Sequence, residues 1–242
     1  MAPNTTNWNL YMILEETLGL KGTTGSLLLL LGGVLLSIII PYLIGSINPA
    51  IIFSNLFFKD DIREHGSGNA GTTNTLRTYG KRMAALIFLL DFIKAIIAVF
   101  IGYLILPYQV GGGAIAGIFV ILGHAFPIYY KFKGGKGVAC LAGVVLVLSP
   151  ISFLILILLF AAIVAMSKFV SLGSIMCAML WPVLHFAFYP TDPWTNIAAI
   201  VIMIIIVFMH RENMKRLMSG KESKISFKKK KPENTEDNND NT

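Results

Sequence analysis

Between Gly137 and Ser167 the chain runs for 31 residues without a charged side chain, and only Pro150 interrupts the apolar run. As one helix at about 1.5 Å per residue this stretch would reach about 46 Å, well beyond a hydrocarbon core of about 30 Å. Pro150 follows Ser149 and disfavours a straight helix, so two short passes are expected, turning at that pair. Other uncharged runs lie at roughly 27–47, 83–106, 110–125, 170–189 and 194–209, which with 137–149 and 151–167 makes seven. They are continuous, not alternating, and that selects helices over a barrel. Mean hydropathy is +0.70, with 55% hydrophobic and 14% charged residues over 242 positions. A soluble domain of this length needs more polar surface. The expected fold is an all-α, polytopic integral membrane helix bundle with seven transmembrane helices, or five if two short runs fail to cross.

The placement of charge orients the bundle. With the N-terminus outside and seven crossings, eighteen of the twenty Lys and Arg residues fall on inner segments. They are Lys59, Arg63, Arg77, Lys81 and Arg82, then Lys131, Lys133 and Lys136, then Lys168, and nine from Arg211 to Lys231. Lys94 lies within a helix and only Lys21 falls outside. This asymmetry places the C-terminus in the cytoplasm of a multi-pass protein of the cell membrane.

Residues 1–26 read as an N-terminal extension. Trp8 to Leu20 suits a surface-lying amphipathic helix, and Glu15 and Glu16 argue against a cleavable signal peptide. Residues 27–220 form the membrane domain. Residues 221–242 read as a disordered basic and polar tail. Its Lys228 to Lys231 suit anionic headgroups, although a solvated flank is the simpler reading. Cys140 and Cys177 sit in apolar surroundings and read as buried residues, not as a disulfide or a zinc site. Asp91 and Lys94 are spaced to pair across one helical turn, and His185 reads as structural.

Three inner segments are dense in Gly, Ser, Asn, Thr, His and basic residues. The first runs Arg63-Glu-His-Gly-Ser67-Gly-Asn69-Ala-Gly-Thr-Thr73-Asn-Thr-Leu-Arg77. Its glycines allow close backbone approach to a ligand, and Arg77 can grip phosphate with two hydrogen bonds. A loop capping a helix that starts near Thr72 explains the same residues equally well. The second holds Gly123-His124 and then Lys133-Gly134-Gly135-Lys136-Gly137 at the start of an apolar helix, an anion site by dipole and by free amides, or more plainly a basic membrane-flanking turn. It lacks the spacing of a nucleotide P-loop. The third is split between Ser171 and Ser174 at one helix start and His210-Arg211-Glu212-Asn213 at the end of the last helix. Helix capping, close packing and a basic membrane flank are the plain alternatives for these.

Taken in order, these motifs resemble the bacterial acyl-phosphate-dependent glycerol-3-phosphate acyltransferases over about residues 27 to 220. Three departures stand out: Ala70 where the family usually has Pro, Cys140-Leu141 where Thr-Ser is common, and Asn48 between Ile47 and Pro49. The resemblance implies acyl transfer from a fatty acyl phosphate to the 1-hydroxyl of glycerol 3-phosphate, with lysophosphatidic acid and phosphate as products. This is the first acylation step of phospholipid biosynthesis.

It further implies that Ser67, Asn69, Thr73, Arg77, Lys136, His210 and Asn213 hold glycerol 3-phosphate, and that the amides of Gly134, Gly135 and Gly137 hold the acyl phosphate. Lys133 and Arg211 stand behind as further cations, and Ser171, Ser174 and Glu212 complete the substrate-binding set. Lys136, Asn213 and His124 or His210 are the catalytic candidates, with a substrate phosphate as an alternative base. No cofactor, metal or nucleic-acid partner is expected; the partners are the two substrates and membrane lipids. A transporter of a phosphorylated solute or a non-catalytic scaffold explains the composition as well, but the polar groups cluster at one face, with few ionisable residues at mid-depth.

Overall fold

The computed structural model describes residues 9–225, and among these the chain contains helices and turns but no strand. A short helix α1 (Leu10–Thr17) is capped by the Asn9 side chain and tied to the next helix through Glu15, which accepts from Tyr11 and Ser26. Seven apolar helices follow: α2 (Thr24–Ser46), α5 (Lys81–Ile105), α6 (Gly112–Ala125), α7 (Val138–Leu148), α8 (Pro150–Ser167), α9 (Val170–Phe188) and α10 (Pro193–Met209). Three shorter ones, α3 (Pro49–Phe53), α4 (Thr72–Thr78) and α11 (Arg211–Met218), lie among the polar segments.

The division at Ser149–Pro150 falls as expected. Ser149 ends α7 in a non-helical conformation and Pro150 opens α8 at its first turn, where its missing N–H costs nothing. By length and hydropathy, five segments can cross a membrane: 24–58, 81–105, 112–130, 150–167 and 170–188. α10 and α11 form a sixth only as a pair bent by 58°. The eleven residues of α7 reach about 17 Å.

Small residues let the helices approach. A Cβ on Gly45 of α2 would lie 2.2 Å from the Val120 carbonyl oxygen of α6, and one on Gly123 of α6 would lie 2.1 Å from that of Tyr42. These two helices therefore meet backbone to backbone, as small-residue interfaces in membranes do. The core lies among α5, α6, α7, α9 and α10, around the fully buried Trp181, Val99, Ile121, Val144, Ile202 and Ile206. By contrast, Leu28 and Leu31 of α2 and Leu154 and Leu158 of α8 stay exposed, as expected of lipid-facing surface.

Successive apolar helices run in alternating directions. Ser46 meets Ile128 after α6, and Ser171 meets Glu222 past α11, at one end. Ser149 meets His185, and Trp194 meets Gln109, at the other. All three polar segments are thereby gathered at the first end.

Candidate active site

The first polar segment is shaped by its own side chains. Asn74 lies buried in α4, its amide nitrogen donating to the carbonyls of Ile62 and His65 while its oxygen accepts from the Ser67 N–H. Gly66 and Gly68 take positive φ values of 57° and 69°, so the chain can turn around that amide. α4 starts at Thr72 as expected, but behind Gly71 and without a side-chain cap, and presents Thr73 and Arg77 from one helix.

The second segment is fixed from behind. The Lys94 ammonium lies 2.7 Å from Asp91 Oδ1 and donates to the Gly45 and Ile47 carbonyls at 3.0 and 2.6 Å, where α2 ends. The expected Asp91–Lys94 pair is therefore present, and it also holds a helix break. His124 Nδ1 joins it, 3.3 Å from Asp91 Oδ1 and 3.2 Å from Lys94 Nζ. The His124 carbonyl then accepts the Gly135 N–H, and the Ala125 carbonyl accepts the Gly134 N–H. A Cβ at Gly135 would sit 2.1 Å from His124 Nε2, so only glycine can pass there. Asp91, His124 and Cys140 also bring three donor atoms within 4.8 Å of one another, a grouping invisible in the sequence. Lys94 already supplies the counter-charge that a cation would bring there.

Two of the three departures from the family pattern meet at this place. Asn48 caps α3 by accepting from the Ile51 N–H, and its amide nitrogen donates to the Ala70 carbonyl at 3.2 Å. The inserted asparagine thus braces the turn that a proline would otherwise stiffen. Cys140, the third, donates its thiol to the Asp91 carbonyl at 3.4 Å. Both cysteines are free and buried.

These elements enclose a cavity of about 310 Å³. Ser67, Asn69, Thr73, Arg77, Lys136, Gly137, Ser171, Ser174, His210 and Asn213 line it, all singled out from the sequence. Lys136 donates its ammonium to Asn213 Oδ1 in a short contact. Burial, with Arg216 and Arg77 nearby, pushes the Lys136 amine down to about 8. His210 is buried and engages the Ile206 carbonyl through Nδ1 at 2.8 Å. A carbonyl only accepts, so Nδ1 carries the proton and Nε2 is the free ring atom. The Thr72 hydroxyl lines the cavity too, buried and without a protein partner.

A second, apolar cavity of about 120 Å³ lies deeper in the bundle, between α7, α8 and α9. Leu141, Val145, Phe153 and Leu156 line it, and it shares Phe88, Val138, Phe160 and Ser174 with the polar one.

The chain matches the family model described as glycerol-3-phosphate acyltransferase over residues 35–220. The chain belongs to the glycerol-3-phosphate acyltransferase family. Among curated relatives, the glycerol-3-phosphate acyltransferase of Thermoanaerobacter sp. (strain X514) is 43% identical, covering 80% of this chain and 96% of its own. That of Streptococcus thermophilus (strain ATCC BAA-491 / LMD-9) is 38% identical, covering 80% and 94%. Two crystal forms of PlsY (YgiH), an integral membrane glycerol 3-phosphate acyltransferase, superpose with TM-scores of 0.76 and 0.73. They are described as its glycerol 3-phosphate and lysophosphatidic acid forms; each is 35% identical and covers 80% of this chain and 96% of its own.

Several expected site residues of this family member stand elsewhere. Lys133 is exposed outside the cavity. Arg211 lies over the Phe208 ring, and Glu212 pairs with Lys215 on the exposed side of α11, because the inward face at this end carries His210, Asn213 and Arg216. The Gly134 and Gly135 amides are spent on backbone carbonyls, so the amides available to an anion are that of Gly137 and those of the first turn of α7, from Val138. His124 is 3% exposed and borders the cavity, with its Nδ1 beside Asp91 and Lys94.

Of the tail expected to be disordered, residues 221–225 are described, with Lys221, Ser223 and Lys224 exposed and Glu222 and Ile225 half-buried, and the Lys228–Lys231 run lies outside the described residues. Glu222 enters the cavity wall, accepting from Ser171 Oγ at 2.8 Å, Asn213 Nδ2 at 2.7 Å and Arg216 Nε at 2.8 Å. Sequence reasoning missed it and Arg216. The only local hint was a lone acid two residues past the glycine that ends the helix.

Proposed function

We propose that this chain transfers a fatty acyl group from acyl phosphate to the 1-hydroxyl of glycerol 3-phosphate, at the cytoplasmic face of the plasma membrane. The observation that carries this reading is the shared wall between the two cavities. A cationic, hydroxyl-lined chamber adjoins an apolar slot between membrane helices, with Phe88, Val138, Phe160 and Ser174 lining both. A lipid-borne anhydride and a water-borne polyol phosphate need just that junction.

In the reaction the 1-hydroxyl oxygen attacks the acyl carbonyl carbon, the bond from that carbon to the phosphate oxygen breaks, and phosphate departs with its electrons. The hydroxyl proton passes to His210 Nε2 or to a phosphate oxygen. Phosphate is a good leaving group, so positioning and charge stabilisation supply most of the catalysis. Arg77 and Lys136 face the two phosphates, with the first-turn amides of α7 on the acyl phosphate. Ser67, Asn69, Thr72 and Thr73 hold the polyol. Asn213 aligns the Lys136 ammonium, and the acyl chain lies along Val138, Leu141 and Val145 on one face of α7.

The alternating helix directions and the Lys and Arg asymmetry support seven crossings, with α7 as the shortest, the N-terminus outside and α1 at the outer interface. Purified protein in detergent, given glycerol 3-phosphate with acyl phosphate, acyl-CoA or acyl-carrier protein as donor, tests the reaction. Phosphate release that needs both acyl phosphate and glycerol 3-phosphate is expected. Turnover with a thioester donor alone, or movement of glycerol 3-phosphate into vesicles without turnover, refutes it.

A further inference from the structure

Residues 221–225 lie past the stretch that matches the family model, yet they touch four separate parts of the site end. Gly220, at a φ of 69°, reverses the chain after α11, and the Lys221 N–H returns to the Arg216 carbonyl at 2.8 Å. The Ser223 carbonyl accepts from Arg77 Nη2 at 3.2 Å, and the Ile225 N–H donates to the Lys168 carbonyl at 2.8 Å, between α8 and α9. Between these anchors the Glu222 side chain is 5% exposed. Burial raises its carboxyl, but the bonds from Asn213, Ser171 and Arg216 more than offset that and hold it below the usual range. It is therefore an anion among cations in a cavity built for anions.

Its effect on its neighbours follows from hydrogen-bond polarity. An ionised carboxylate only accepts. The Ser171 hydroxyl spends its single proton on Glu222, so it can offer a ligand only lone pairs. Asn213 gives one amide hydrogen to Glu222 and its oxygen to Lys136, which fixes the amide's orientation. We infer that Glu222 is a positioning residue for the acceptor substrate: it turns Ser171 into a hydrogen-bond acceptor for a hydroxyl of the polyol, and sets Asn213 to aim Lys136 at the phosphate. This rests on the reaction proposed above. It divides the cavity into a hydroxyl-reading side at Ser171 and a phosphate-reading side at Arg77 and Lys136.

The test compares the full-length wild type with Glu222→Gln and Glu222→Asp, using calorimetric binding of glycerol 3-phosphate and of inorganic phosphate. Loss of a charge-assisted network predicts a drop of about 10- to 100-fold in glycerol 3-phosphate affinity for Glu222→Gln. Inorganic phosphate has no polyol to read and meets Glu222 only through Asn213 and Lys136, so its affinity is expected to fall by less, to within about fivefold of wild type. Glu222→Asp, keeping the charge, is expected to recover part of the loss. Unchanged glycerol 3-phosphate affinity in Glu222→Gln overturns the assignment. So does tighter binding of both ligands, which would make Glu222 an internal competitor for the phosphate. Turnover with acyl phosphate on the same wild-type preparation reads the reaction separately, so failure of the reaction and failure of the Glu222 role give different results.

Discussion

His124 and His185 are both buried at helix ends, and each lies beside an aspartate, Asp91 at 3.3 Å and Asp192 at 3.7 Å. At the far end His185 shares a 2.6 Å hydrogen bond with Ser149, whose hydroxyl also accepts from the Trp181 indole. Those groups join α7 to α9 and line neither of the two cavities. At the site end the cluster includes the Lys94 ammonium, which binds two backbone carbonyls, while the His124 carbonyl holds the glycine loop. The same residue pairing is helix fastening in one place and a support for the glycine loop in the other. What separates them is the chain segment that their second bonds fix.

The contrast can be broken or sharpened by substitution. Lys136→Ala removes a cation aimed into the cavity, and kcat/KM for acyl transfer is expected to fall about 100- to 1,000-fold in a phosphate-release assay. Asp91→Asn leaves the Lys94 charge buried without its partner, at a cost of about 3–5 kcal/mol. It should lower the melting temperature in detergent and also reduce kcat, because the glycine loop loses its support. An active, fully stable Asp91→Asn would remove the distinction between the two clusters.

The pH profile is the next, smaller effect. Lys136 is lowered to about 8 and must carry its proton to bind phosphate. Activity is therefore retained below pH 8, and kcat/KM should fall about tenfold per unit as pH rises beyond it. A flat profile to pH 9.5 would show that the ammonium is not needed. Smallest of all, His185→Gln should cost about 1–3 kcal/mol of stability and leave kcat/KM within about twofold. A large catalytic loss there would place the far cluster in the reaction path.

Much of this was legible in the sequence, because membrane helices declare themselves by uncharged length and loops by glycine and charge. The break at Ser149–Pro150 and the Asp91–Lys94 pair followed from spacing, while the meeting of Arg77, Lys136, His210 and Asn213 followed from the family resemblance. What failed were statements of direction. Whether Gly134 and Gly135 offer free amides depends on where α6 ends, since its terminal carbonyls, at His124 and Ala125, take those hydrogens. The helical spacing put His210 and Asn213 on one face, but Arg211 and Glu212 were still counted with the substrate-binding set, and the structure leaves both exposed. Glu222 was hidden because a single acid in a polar tail carries no periodicity, and only the turn at Gly220 brings it home.

The central claim, that a single cavity at the cytoplasmic end receives the acceptor substrate, is most directly tested by thiol labelling in inside-out and right-side-out vesicles. Ser67→Cys, on the cavity rim, and Glu212→Cys, on the outer face of α11, are expected to react with an impermeant reagent only in inside-out vesicles. Glycerol 3-phosphate should protect the first and leave the second reactive. Labelling of the two from opposite sides, or equal protection of both, would contradict it.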